Sequence, residues 1–152
     1  MILVDTGPVL ALLRGDDRDH TRCAVLLSAA AQPPLLPVPV LTAVCQVLER
    51  HHGTRAEQAF LSDVRDGLFS LVATIPTDLT RIAELIADPV PIGQHPDPDP
   101  AGAGAGGGRP GLVQASVIAA AERLHITTIA TLDPRPFTTS RDRGPSPFTV
   151  LP

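Results

Sequence analysis

A chain of 152 residues is long enough for one domain, burying about two-thirds of the surface that its unfolded form exposes. Its net charge of −4 provides no overall positive field to gather a polyanion, and with no Trp, no Tyr and four Phe it offers no aromatic platform for stacking single-stranded bases. Two cysteines outside any CxxC spacing and five scattered histidines support neither a zinc site nor a disulfide framework.

The chain opens ILVDTGPVLALL. Ile2, Leu3 and Val4 read as a short buried strand, Thr6-Gly7-Pro8 as a turn, and Val9 to Leu13 as an apolar helix. This stretch lacks a basic leader and contains an acid, so no signal peptide is expected. No apolar run approaches the roughly 20 residues of a membrane span, and a cytoplasmic location is expected. Gly15 to Asp19 is a charged turn in which Arg14, Arg18 and Arg22 alternate with Asp16, Asp17 and Asp19, the pattern of a mixed solvated surface. Thr21 to Ala30 reads as a second helix with His20 at its start, ended by Gln32-Pro33-Pro34. Leu35 to Val40 is expected as a second strand, and Pro37 and Pro39 argue for a place near a sheet edge. Thr42 would cap a helix through Arg50, and a further amphipathic helix covers Arg55 to Arg65. Phe69 to Ile75 reads as the third strand, and Thr77-Asp78 opens a helix running to Ala87.

From Asp88 to Pro110 the composition changes: six Pro and six Gly in 23 residues exclude regular helix or strand and predict a flexible insertion. Gly111 to Leu124 is again helical, with Val113, Val117, Ile118 and Ala121 inward. Thr127 to Leu132 is the fourth strand, ended by Asp133, and Phe148 to Leu151 a last short one. Strands alternating with helices predict βαβ units and a mainly parallel sheet in a single domain spanning residues 1–152.

Asp5 and Asp133 each follow a predicted strand, so a parallel sheet would bring both to the edge where α/β folds bind ligands. Two close carboxylates repel unless a cation neutralises them, and an all-oxygen set suits Mg²⁺ or Mn²⁺. Each acid also has a plain structural reading, Asp5 as a helix N-cap and Asp133 as the opener of the Asp-Pro turn.

Four blocks in order, ILVDTGPVLALL, PVLTAVCQVLER, GLVQASVIAAAERL and TIATLDPRPF, resemble a PIN-domain protein of the VapC toxin type, over the whole of residues 1–152. The resemblance implies a three-layer α/β/α domain with a mainly parallel central sheet of four or five strands. It also implies a Mg²⁺-dependent ribonuclease paired with an antitoxin and commonly homodimeric. Residue by residue, the first acid of the family matches Asp5, the adjacent hydroxyl matches Thr6, and the last principal acid matches Asp133. The second acid falls on Ala43, the third on Gln114, and a further acid often found three residues past the last falls on Pro136. Two of four principal acids are thus absent. Gln114 can offer only a neutral carbonyl oxygen. Glu49 stands about 240° round its helix from Ala43, where Gln46 and Arg50 share the face instead, and Glu122 lies roughly 12 Å along the axis from Gln114. Asp97 and Asp99 in the insertion could reach the sheet edge from a flexible segment, but the favoured reading of that segment is a solvated, disordered insertion. The expected function is a weakened VapC-like ribonuclease toxin. The alternative is a catalytically defective PIN domain that binds an antitoxin.

Overall fold

The computed structural model describes residues 1–87, 110–138 and 149–151. The insertion expected over 88–110, with Asp97 and Asp99, lies outside the described residues except for Pro110, and so does Phe148. Five strands, β1 (Leu3–Val4), β2 (Leu35–Pro37), β3 (Ser70–Val72), β4 (Thr128–Ala130) and β5 (Thr149–Leu151), form one sheet in the order β3-β2-β1-β4-β5. Every pairing is parallel.

Helices fill the crossovers: α1 (Thr6–Leu13) and α2 (His20–Ser28), α3 (Val38–His52) and α4 (Thr54–Arg65), α5 (Pro76–Ile86) and α6 (Leu112–Leu124), with the short α7 (Arg135–Thr138) between β4 and β5. From β1 the chain advances through β2 to β3, then returns past β1 to add β4 and β5 on the other side. Because parallel crossovers are right-handed, that reversal puts helices on both faces, giving three α/β/α layers. The inner strands β1, β2 and β4 are buried on both faces and therefore read as apolar runs: Leu3, Val4, Leu36, Ile129 and Ala130 have no exposed surface.

Two expectations need correction. Strand β2 ends at Pro37, and Val38 to Val40 form the first turn of α3; Thr42 lies inside that helix, its hydroxyl donating to the Val38 carbonyl at 3.1 Å, and is not the cap. Prolines at the N-cap and second helical position leave no needed N–H unmade, so Pro37 and Pro39 mark a strand-to-helix turn, and β2 stands one place in from the edge strand β3. Likewise β4 stops at Ala130, short of Leu132.

Candidate active site

The sheet order reverses between β1 and β4, the topological switch point at which open α/β sheets form a crevice beyond their carboxyl ends. Val4 is in register with Ala130, and the Asp5 N–H donates to the Ala130 carbonyl at 3.0 Å, extending the ladder by one bond. The residue that follows Ala130, and so flanks Asp5, is Thr131; Asp133 comes two positions later.

Asp5 sits at the N-cap of α1 with extended backbone, and its Oδ1 accepts the Thr6 N–H at 2.7 Å. Its Oδ2 accepts the Thr131 hydroxyl at 2.9 Å, and the same hydroxyl oxygen accepts the Asp133 N–H at 3.1 Å. Thr131 is thus the bridge that ties the two acids into one unit. Both Asp5 and Thr131 are buried, at 5% and 2% exposure. Gly7 lets the first turn of α1 pass close by: a Cβ there would stand 3.2 Å from that of Leu132.

The two carboxylates have opposite electrostatics. Burial pushes the Asp5 carboxyl above its ordinary value; the Thr6 N–H and Thr131 hydroxyl pull it down, and the charge of Asp133 adds to the rise. The Arg135 guanidinium holds Asp133 below the usual carboxylate range. That guanidinium grips both oxygens, Nε to Oδ1 and Nη2 to Oδ2, each at 2.8 Å, while the Arg135 N–H donates to Oδ1 at 3.2 Å.

The cap and the ligand readings of Asp5 are compatible, since a carboxylate that accepts two hydrogen bonds keeps further lone pairs. Thr6 contributes its backbone N–H at the start of α1. Gln114 is buried in the first turn of α6, which packs against β1 and α7, the elements that flank Asp5 and Asp133. Ala43 lies half-buried on α3 and Pro136 is buried in α7, so neither supplies a donor where the family resemblance expects an acid.

Glu122 is engaged elsewhere, taking Arg81 through bonds of 2.7 and 3.0 Å, and Glu49 is exposed on α3. His20 ties α2 to α1 through Nδ1 and the Ala11 carbonyl, at 3.0 Å. Arg14, Arg18 and Arg22 pair with Asp16, Asp17 and Asp19, as a solvated charged turn should. Sequence reasoning missed Thr131 and Arg135. The one signal for Thr131 was a hydroxyl in the apolar run IATL, and for Arg135 a cation two residues from an acid.

Among the described residues, no three His, Cys, Asp or Glu side chains converge on a common point. Two carboxylates and one buried amide are oxygen donors of the kind a single Mg²⁺ takes, an ion that keeps several waters and uses one or two protein carboxylates plus substrate phosphate. They lack the charge to hold two divalent ions side by side.

No family model matches the chain. Ribonuclease VapC26 of Mycobacterium tuberculosis (strain ATCC 25618 / H37Rv) is 23% identical over 151 residues, which cover 99% of this chain and all of that protein. The crystal structure of Mycobacterium tuberculosis VapC20, a toxin that cleaves the sarcin-ricin loop, superposes with a TM-score of 0.64 at 18% identity, covering 85% of this chain and 87% of that one. Among the described residues no helix is long and apolar enough to cross a membrane. The five-stranded parallel sheet with an acid at the end of β1 and the full-length similarity to a VapC ribonuclease agree: the chain has the fold of a VapC-type PIN domain.

Proposed function

We propose that this protein is a VapC-like, Mg²⁺-dependent endoribonuclease, the toxin of a toxin–antitoxin pair, with activity weakened by the loss of two acids. The observation that carries the reading is the Asp5–Thr131–Asp133 unit at the β1/β4 switch point, on a chain that matches a ribonuclease end to end. Its substrate is RNA and its regulator a cognate antitoxin; a homodimer in the cytoplasm completes the reading.

Asp5 and Asp133 would hold the ion, with Gln114 as a weak neutral third ligand. When bound, the ion lowers the pKa of a coordinated water and offsets charge developing on the phosphate. Asp5 is the fixed member, locked by the Thr6 N–H and the Thr131 hydroxyl, so its oxygens need no reordering as the cation arrives. Thr6 belongs to this support and not to the ligand set.

Ala43 cannot offset charge, and Gln114 can neither offset charge nor take a proton. The site therefore needs more Mg²⁺ than one with four carboxylates. A Mg²⁺ titration of RNA cleavage by wild type, Asp5→Ala and the double variant Ala43→Glu/Gln114→Asp tests this. Cleavage should rise with Mg²⁺, vanish in Asp5→Ala, and reach its plateau at lower Mg²⁺ in the double variant. An inert wild type that the double substitution activates would overturn the enzymatic reading.

A further inference from the structure

We infer that Arg135 is the resident cation of this site: it holds both oxygens of Asp133 and competes with a divalent ion for them. This one side chain then adds to the metal requirement that the missing acids already raise. The inference rests on the metal-dependent reading above and concerns a residue outside the expected ligand set.

The two acids are held in different ways. The partners of Asp5 are neutral donors, a backbone N–H at 2.7 Å and a hydroxyl at 2.9 Å, and both can stay as a cation takes the remaining lone pairs. Asp133 instead faces a planar fork that spans both of its oxygens at 2.8 Å and carries the same sign as the incoming ion. Metal and guanidinium, both cationic, therefore compete for Asp133.

The clip is local. Asp133 and Arg135 are two residues apart, and the Asp133 carboxylate also accepts the Arg135 backbone N–H at 3.2 Å. The clip is also weak enough to open. The Arg135 side chain is 61% exposed and that of Asp133 35%, and an exposed pair of this kind shifts an equilibrium only about two- to fivefold. Arg135 thus raises the metal requirement without blocking the site, and Asp133 is gated while Asp5 stands ready.

Mn²⁺ binding, followed by the loss of the free-ion electron paramagnetic resonance signal and by calorimetry without RNA, tests the assignment. Arg135→Gln should bind Mn²⁺ about two- to fivefold more tightly than wild type. Arg135→Lys, which keeps the charge but cannot span both oxygens, should fall between them. In an Asp133→Asn background, Arg135→Gln should bring no gain. An Arg135→Gln affinity equal to or below wild type, or an equal gain in the Asp133→Asn background, would overturn the clip while leaving the metal reading intact. Failure of both wild type and Arg135→Gln to bind Mn²⁺ would overturn both.

Discussion

Asp5 combines two duties that draw opposite demands from one carboxylate. As an N-cap it satisfies the Thr6 N–H, and as the proposed ligand it would have to stay ionised while almost wholly buried. Burial makes the ionised form unfavourable, a cost that the proposed metal would relieve. Asp5→Asn removes the charge and keeps the geometry: the amide oxygen can accept the Thr6 N–H, and the amide nitrogen can donate to Thr131, whose hydroxyl turns to the Asp133 carbonyl 3.2 Å away. This variant should lose nuclease activity and gain about 1 kcal/mol of stability at neutral pH in chelator, read from urea unfolding. The sign is fixed by linkage. A carboxyl with its folded-state pKa raised above the ordinary 3.8 contributes stability that is complete below that value and is lost as pH rises through the folded value. The advantage of Asn should therefore vanish below pH 3.8 and grow toward neutrality. Thr131→Val acts in the opposite direction, leaving Asp5 Oδ2 without its donor and the Asp133 N–H without its acceptor. Mn²⁺ affinity should fall about 10–100-fold, with stability down by about 1–2 kcal/mol.

At the scale of elements, helix α6 is the support on which the site rests. Gln114 through Ala121 are all buried, and the Ala and Ser residues in this run let the helix be covered on nearly every side. Ala115 and Ala119 pack with Ile82 of α5, and charged clamps flank that seam. Asp78, buried at 4% exposure, accepts the Ile75 N–H at 3.0 Å and the Arg123 Nε at 2.8 Å, and Arg123 also donates to the Ala73 carbonyl at 3.1 Å. On the same seam Arg81 joins Glu122 and Glu84. Arg123→Ala strands a buried carboxylate, so the urea midpoint should drop by an amount equivalent to about 2 kcal/mol, with Asp78→Asn/Arg123→Ala recovering part of it. Most helices were legible because their apolar spacing and stop signals agree: Gly53 closes α3, and Phe60 and Val64 fix the buried side of α4. The β2–α3 junction was misread because a proline that a strand tolerates poorly is welcome at a helix start, and PVPV carries both messages.

For the whole molecule, the order β3-β2-β1-β4-β5 places the reversal of the sheet at the ends of β1 and β4, and the acids follow from that. The sequence made Asp5 legible, since an acid between an apolar run and Thr-Gly-Pro has few other places to go. It made Asp133 legible as a partner but not its distance from the strand, because the apolar run TIATL conceals the end of β4 at Ala130. Thr131 and Arg135 stayed hidden because their roles come from register and side-chain geometry, which spacing alone does not carry. On the proposed function, the whole-molecule consequence of the depleted acids is a site that depends on added metal. Mg²⁺ should raise the melting temperature of wild type, as any ligand confined to the folded state does, and leave that of Asp5→Asn unchanged. The central claim meets its most direct test in endonucleolytic cleavage of RNA by purified protein across a Mg²⁺ titration, wild type beside Asp5→Asn. Cleavage that rises with Mg²⁺ in wild type and is absent in Asp5→Asn is the predicted result; an inert wild type, or equal cleavage by both proteins, would contradict it.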